Sequence, residues 1–265
     1  MDSFMIFIIA VAIVAAIGII AGVILAIASI VMHVPVDEKA AAIEEVLPGA
    51  NCGACGYSGC PGYAQALANG EAEPNLCSPG GADVLAEILA LTGGSATIEK
   101  KTAVVMCLGS LDHITVRSDY HGMPTCTAAA QTSGGNSSCS YGCLGYGDCV
   151  DVCEYDAVEI CNGIARITPN FCTACTMCVK ACPRGLIKIV PVKDQALVRC
   201  ENCDRGPLAT KACKVSCIGC MKCVKACEED AIKVANFNAT IDPAKCTNCG
   251  KCVDECPRNC ITLFS

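Results

Sequence analysis

The sequence has 265 residues, 27 of them cysteine, with no tryptophan, only 4% aromatic residues and a formal net charge of −7. Such a chain has room for two or three small domains, but so few aromatics exclude one large aromatic core, and cysteine must supply the missing stabilisation. The cysteine count is odd and many cysteines stand only two residues apart, which argues against a secreted disulfide scaffold and for thiolates that hold metal in a reducing compartment.

In chain order, the first predicted element is an anchor over residues 1–33. Residues 3–32 carry no charge, and about 20 apolar residues suffice to cross a bilayer. Only Met1, Asp2 and Ser3 precede the apolar run, which is about twice as long as that of a signal peptide, so a retained single transmembrane helix is expected, ended by Pro35. Gly18 and Gly22 form a G-x-x-x-G step among Ala15, Ala21 and Ala26; a partner helix could approach there, and simple lipid exposure accounts for the same residues. Asp2 on one flank and Asp37, Glu38 and Lys39 on the other give the positive-inside rule almost nothing to count. The cysteine-rich bulk is placed on the cytoplasmic side of the cell membrane because its thiols must stay reduced.

Residues 34–96 form the next unit. Residues 37–47 read as a short amphipathic helix leading into Pro48-Gly49-Ala50-Asn51-Cys52-Gly53-Ala54-Cys55-Gly56-Tyr57-Ser58-Gly59-Cys60 and then Cys77. The spacing C-x2-C-x4-C-x16-C supplies the four thiolates of Cys52, Cys55, Cys60 and Cys77, the number a [4Fe–4S] cluster takes. The glycines let backbone N–H groups approach the sulfurs. A structural Zn(Cys)4 site is the competing reading. Residues 82–91 have helical spacing and residues 92–95 read as a linker. A connecting segment over residues 97–138 follows, strand-like at 103–106 and closing on a Ser- and Gly-rich linker.

The remainder is a duplication. Cys139, Cys143, Cys149, Cys153, Cys172, Cys175, Cys178 and Cys182 each have a cysteine 74 positions later, and so does Cys126, whose counterpart is Cys200. Two ferredoxin-like modules are therefore expected, at residues 139–195 and 196–265, in an α+β fold. The runs Cys172-x2-Cys175-x2-Cys178-x3-Cys182-Pro183 and Cys246-x2-Cys249-x2-Cys252-x3-Cys256-Pro257 match the bacterial ferredoxin pattern, in which the fourth cysteine ligates the other cluster. Cys217-x2-Cys220-x2-Cys223-x3-Cys227 has the same spacing with Glu228 in place of proline. One cluster is thus assigned to Cys217, Cys220, Cys223 and Cys256, its mate to Cys246, Cys249, Cys252 and Cys227, and a third to Cys172, Cys175, Cys178 and Cys153.

The other cluster of the first module is irregular, since Tyr146 stands where the second copy has Cys220. Its expected ligands are Cys143, Cys149 and Cys182 with Cys139 as the substitute, and Cys126 and Cys107 compete for that place. Zinc is again the alternative metal, although zinc ribbons use separated C-x-x-C pairs rather than triplets followed by C-P. The total is about five [4Fe–4S] clusters. Cys107, Cys126, Cys161, Cys200, Cys203, Cys213 and Cys260 are left over; Cys200-x2-Cys203-x9-Cys213 supplies three ligands toward a sixth, or these residues pack as small hydrophobes.

No dinucleotide fingerprint or Walker loop occurs and His33, His113 and His121 are scattered, so no nicotinamide site and no catalytic residue is expected on this chain. Nor is a nucleic-acid partner. Residues 166–225 hold eleven Lys or Arg against three Asp or Glu, a balance that would steer an acidic soluble ferredoxin, or merely solvate a face.

Taken together, the apolar N-terminal helix, the Asn51-Cys52-Gly53-Ala54-Cys55-Gly56-x3-Cys60…Cys77 motif and the ferredoxin runs resemble the B subunit of the Rnf complex, an ion-pumping ferredoxin:NAD oxidoreductase. The resemblance covers nearly the whole chain, and the helix joined to the four-cysteine motif is its specific part. The duplicated module resembles the longer versions found in anaerobes. It implies an electron-transfer subunit of a membrane translocase that accepts electrons from reduced ferredoxin. Those electrons pass to other membrane subunits, where Na⁺ or H⁺ transport is coupled and NAD⁺ is reduced elsewhere. A polyferredoxin subunit of a membrane hydrogenase or reductase without ion pumping is the second reading, and a zinc-binding interaction protein the third.

Overall fold

The computed structural model describes residues 3–31 and 37–264. The expected helix stop at Pro35 and the flanking Asp2 lie outside the described residues. Helix α1, Ser3–Val31, has 29 residues; at 1.5 Å per residue it is about 44 Å long, more than the roughly 30 Å hydrocarbon layer. It is long and apolar enough over Phe7–Ile27 to cross a membrane and buries none of that stretch.

Three short helices follow: α2, Glu38–Val46; α3, Cys60–Ala68; and α4, Gly81–Thr92. The Asp37 carboxylate caps α2 by accepting the N–H groups of Lys39 and Ala40. Pro61 occupies the first turn of α3, where its missing N–H costs nothing. The helices share a core of Ile43, Leu47, Tyr63, Ala64, Leu67 and Ile88. Tyr63 is the one large polar side chain in it. Its hydroxyl donates to the Glu73 carbonyl at 2.7 Å and accepts the Leu76 N–H at 3.3 Å, so it is satisfied.

The rest of the chain builds four two-stranded antiparallel ladders. Strand β1, Lys101–Val105, is followed by helices α5, Cys126–Thr132, and α6, Asp148–Asp151. The hairpin β2, Val158–Cys161, and β3, Ile164–Ile167, leads through α7, Met177–Ala181, to β4, Ile187–Pro191. The second module repeats this order: β5, Gln195–Val198; α8, Gly206–Ala212; α9, Lys222–Ala226; hairpin β6, Ile232–Ala235, and β7, Asn238–Ile241; α10, Lys251–Asp254; and β8, Ile261–Phe264.

The duplication is legible in the registers. Val105 pairs with Ile187 and Val198 pairs with Ile261. Ile187 and Ile261 are 74 apart (261 − 187), but Val105 and Val198 are 93 apart (198 − 105). The first module therefore carries 19 additional residues (93 − 74) after its opening strand. That strand comes from the segment expected to be a connector, so residues 101–105 are ladder-bonded into the first module.

Strand β1 is buried on both faces. Ala103 and Val105 enter the core of the first module with Val158, Ala165, Leu186 and Ile187. Because side chains alternate along a strand, Val104 and Met106 face the other way, where they pack with Val190, Leu197 and Phe264 and so join the two modules. Arg199 adds to that joint by donating Nε–H to the Val105 carbonyl at 2.6 Å.

Each hairpin turn presses on a cluster-motif loop. Gly145 (φ +75°) lies so close to the Gly163 carbonyl that a Cβ would run into it, and Gly219 (φ +64°), 74 residues on, would bring a Cβ within 2.9 Å of Phe237 Cα. Only glycine fits both the left-handed backbone and the space.

Candidate metal centres

All 27 cysteines are free thiols, and 26 of them gather into six groups. In the first, Cys52 and Cys55 stand in the loop before α3, Cys60 opens α3 and Cys77 follows it. Burial pushes the Cys77 thiol up, and the nearby Cys60, Cys55 and Cys52 thiols add to it. Asn51, at φ +47°, fastens the loop: its Oδ1 accepts the Cys60 N–H at 2.8 Å and its Nδ2 donates to the Gly49 carbonyl at 3.1 Å. A side chain at Gly59 would collide with that Oδ1 at 2.8 Å.

In the first module, Cys178 has Cys172, Cys175 and Cys153 around it. Burial raises its thiol to about 12 and the three neighbours add to the effect. Cys172 Sγ accepts N–H groups from Ala103 of β1 at 3.3 Å and from Ala174 at 3.5 Å. The expected four are thus together.

The irregular site is assembled differently from the expectation. A cavity is lined by Cys126, Cys143, Cys149 and Cys182, and burial raises the Cys149 thiol to about 12 with Cys143, Cys126 and Cys182 as the neighbours that add to it. Cys139 is not there. It lines another cavity with Cys107, Cys200 and Cys213. The physical reason is α5: it begins at Cys126 and is fastened to α6 by Asp148, whose carboxylate accepts the Cys126 N–H at 2.6 Å, the Thr127 N–H at 3.0 Å and the Thr127 hydroxyl at 2.8 Å. Burial would raise the Asp148 carboxyl, but these donors hold it below the ordinary carboxylate range. Tyr146 turns away, its ring 5.6 Å from that of Tyr120 and its hydroxyl 3.3 Å from Asn136 Oδ1.

In the second module one cavity is lined by Cys217, Cys220, Cys223 and Cys256, and a second by Cys227, Cys246, Cys249 and Cys252. Both sets match the spacing-based assignment. The first holds a fifth thiol, Cys260, fully buried with its Sγ 3.6 Å from that of Cys256. Its S–H lowers the Cys256 thiol to about 5 and lowers Cys217 as well.

The sixth group surrounds the cavity of Cys107, Cys139, Cys200 and Cys213, with Cys203 beside it, close to Tyr141. Gly109 and Gly142 lie against it: a Cβ at Gly109 would touch Cys213 Sγ at 3.4 Å, and one at Gly142 would touch Cys139 Sγ at 3.5 Å. Buried Asn202 donates Nδ2–H to Cys139 Sγ at 3.5 Å, and the Cys143 N–H points at Cys107 Sγ at 3.5 Å. Cys161 stands apart from all six groups, on the β2 end of its hairpin.

Whether these sets fit iron–sulfur cages rather than single ions is a question of spacing. Zinc takes four thiolates about 2.3 Å from a single point, from separated C-x-x-C pairs. Four thiols lining a largely apolar cavity, with backbone N–H groups directed at sulfurs such as those of Cys107 and Cys172, suit a cage in which each binds a different iron. Asn51, Asp148, Asn202 and Cys260 are the residues of these sites that spacing alone misses. Of these, the internal duplication could have flagged Asp148, which replaces Lys222 of the second copy.

Comparison with known proteins agrees with this chemistry. Residues 47–79 match the profile of a family described as a putative Fe-S cluster, and residues 216–260 match a 4Fe-4S dicluster domain. The chain is 43% identical over 249 residues to the B subunit of the Na(+)-translocating ferredoxin:NAD(+) oxidoreductase complex of Acetobacterium woodii, covering 92% of this chain and 74% of that one. It is 38% identical over 255 residues to the B subunit of the ion-translocating oxidoreductase complex of Methanosarcina acetivorans, covering 96% and 97% respectively. It is 39% identical over 233 residues to the B subunit of the proton-translocating ferredoxin:NAD(+) oxidoreductase complex of Clostridium ljungdahlii, covering 87% and 82%.

Proposed function

The chain belongs to the family of B subunits of ion-translocating ferredoxin:NAD(+) oxidoreductase complexes, the Rnf complexes, and is an iron–sulfur electron-transfer subunit; from that premise we propose that it accepts electrons from reduced ferredoxin and relays them through [4Fe–4S] clusters toward NAD⁺ reduction coupled to ion translocation. The observation that carries this reading is the gathering of thiols into separate cavities along one chain. Each cavity is a stepping stone, and a chain of stones is what a relay needs.

The ligand sets are Cys52, Cys55, Cys60 and Cys77; Cys153, Cys172, Cys175 and Cys178; Cys126, Cys143, Cys149 and Cys182; Cys217, Cys220, Cys223 and Cys256; and Cys227, Cys246, Cys249 and Cys252. A sixth cluster is held by Cys107, Cys139 and Cys213, with its fourth thiolate from the turn that carries Cys200 and Cys203. Assigning Cys139 there, and Cys126 to the irregular cluster, replaces the spacing-based expectation. When bound, the clusters supply reversible one-electron chemistry; the chain's own residues place the thiolates, exclude water with Val, Ile and Ala side chains, and aim N–H groups at the sulfurs. Helix α1 anchors the chain to the membrane as a single pass, with the cluster domains on the cytoplasmic side. Other subunits of the complex receive the electrons.

Anaerobic iron and acid-labile sulfide analysis tests the cofactor reading, with about 24 of each expected per chain from six four-iron clusters. No acid-labile sulfide would end it. For the relay, Cys55→Ala is expected to leave ferredoxin oxidation by the outer clusters intact and to stop NAD⁺ reduction by the assembled complex. Normal NAD⁺ reduction in that variant would refute the order of the relay.

A further inference from the structure

The four-cysteine domain and the first ferredoxin module meet at one side chain. Lys180, exposed on α7 between Cys178 and Cys182, donates Nζ–H to the Cys52 carbonyl at 2.8 Å across 128 residues of sequence. Among the described residues this is the one hydrogen bond that joins residues 37–92 to residues 139–195. Gly53 lies beside the contact: a Cβ there would touch Lys180 Nζ at 3.8 Å, an ordinary van der Waals distance. Tyr155 fills the same junction, near both Cys175 and Cys52. The chain between the two units passes through Gly93 and Gly94, both at positive φ, and residues 93–100 form neither helix nor strand. The domain is thus joined to the module by an irregular tether and a single polar latch.

We infer that Lys180 is the positioning residue that docks the four-cysteine domain on the first module, making the centre of Cys153, Cys172, Cys175 and Cys178 the immediate electron donor to the centre of Cys52, Cys55, Cys60 and Cys77. This rests on the relay proposed above. With both clusters bound, the hop would carry one electron from the module centre, oxidising it, to the four-cysteine centre, reducing it; no bond would change and no proton would move. A lysine suits the place twice over. Its ammonium ties down the Cys52 peptide, and its positive charge offsets the extra negative charge of the reduced acceptor. The duplication supplies a contrast: the residue 74 positions on is Asp254, equally exposed on α10, and an anion cannot donate to a carbonyl. Only the first copy can carry this latch.

The test uses the full-length, cluster-loaded protein with Lys180→Met, Lys180→Arg and, as a control, Asp254→Met. Two readouts are taken: amide hydrogen exchange across residues 52–56, and the magnetic interaction between the reduced four-cysteine centre and its neighbour by EPR. Lys180→Met is expected to raise exchange in that loop and to abolish the interaction at unchanged iron and sulfide content. Lys180→Arg should retain both, and Asp254→Met should alter neither. Unchanged exchange and coupling in Lys180→Met would overturn the latch while leaving the cluster assignments standing, whereas missing sulfide at either centre would overturn the relay reading itself and the latch with it.

Discussion

The Asp148 carboxylate accepts the Cys126 N–H at 2.6 Å, tying together residues that are 22 apart in sequence. Through it, α5 is fixed to α6, and the thiol of Cys126 reaches a cavity that Cys149 already lines. Removing this acceptor leaves the N–H groups of Cys126 and Thr127 without their partner, a loss of about 1 kcal/mol by the standard of helix caps. Asp148→Ala is therefore expected to lose the irregular cluster, about four irons per chain, with Asp148→Asn retaining more of it because one oxygen acceptor remains. The sign of the pH effect follows. A carboxyl held below its ordinary value stabilises the fold above the unfolded-state value of about 3.9, and that stabilisation disappears as pH falls through the lower folded-state value. Asp148→Asn should show a weaker acid loss of this cluster than wild type, as followed by visible absorbance. Full iron content in Asp148→Ala would refute the positioning role.

Tyr146 offers a sharper test of the same ligand exchange. It stands where the second copy carries Cys220, so Tyr146→Cys restores the regular spacing. The cost is its contact with Tyr120, about 0.5–1.5 kcal/mol for an aromatic pair. Cys126→Ala alone should lose about four irons, and Tyr146→Cys combined with Cys126→Ala should regain them. A double variant as iron-poor as the single one would show that Cys126 does not substitute for the missing thiolate. By the same count, Cys139→Ala should spare this cluster and empty the cavity beside Cys107 instead.

These two cases show what was legible in the sequence. Triplets such as Cys246, Cys249 and Cys252 specify their own geometry, because two intervening residues fix how three thiols ring one corner of a cavity. The duplication could be read from the 74-residue offset alone. What failed was any ligand chosen by sequence proximity: Cys139 lies nearer than Cys126 to Cys143 in the chain, but Asp148 decides the matter in space. The pairing of β1 with β4 was hidden for a related reason, since the 19 additional residues of the first copy separate that strand from the module it completes. The basic run was legible as a count, but which of its members stand free was not. Lys180, Arg184, Lys188, Arg199 and Lys214 all make hydrogen bonds within the chain.

Cys260 is expected to tune a cluster rather than bind one. Its thiol is buried 3.6 Å from Cys256 Sγ and also faces Cys217, so its S–H can donate to thiolates that carry more negative charge in the reduced state. Such donors raise a cluster's potential. Taking a weak hydrogen bond as about 0.5–1 kcal/mol, Cys260→Ala should lower the midpoint by roughly 20–40 mV for a one-electron couple. An EPR-monitored redox titration at unchanged iron content measures it. A midpoint that stays put, or moves upward, would contradict the assignment.

The second module presents opposite charges at its two ends, and this sets where an acidic electron carrier should approach. Lys222 and Lys225 are exposed next to exposed Cys220, while Arg205 precedes and Lys211 lies on neighbouring α8, whose first residue, Gly206, lies against Ile218. Around the mate cluster the exposed groups are Glu228, Glu229, Asp230, Asp242, Asp254 and Glu255 against Lys245, with Lys251 paired to Glu228 at 2.5 Å. An acidic ferredoxin is attracted to the first end and repelled from the second, and like-charge approach costs on-rate more than it costs contacts once made. Lys222→Glu with Lys225→Glu is expected to slow electron entry from ferredoxin by about tenfold at low salt. The deficit should shrink as ionic strength rises and the Debye length falls to about 8 Å or less. Asp254→Lys, at the other end, should not reproduce the loss. Stopped-flow oxidation of reduced ferredoxin across a salt series reads all three, and a double variant whose rate is normal and insensitive to salt would place the entry point elsewhere.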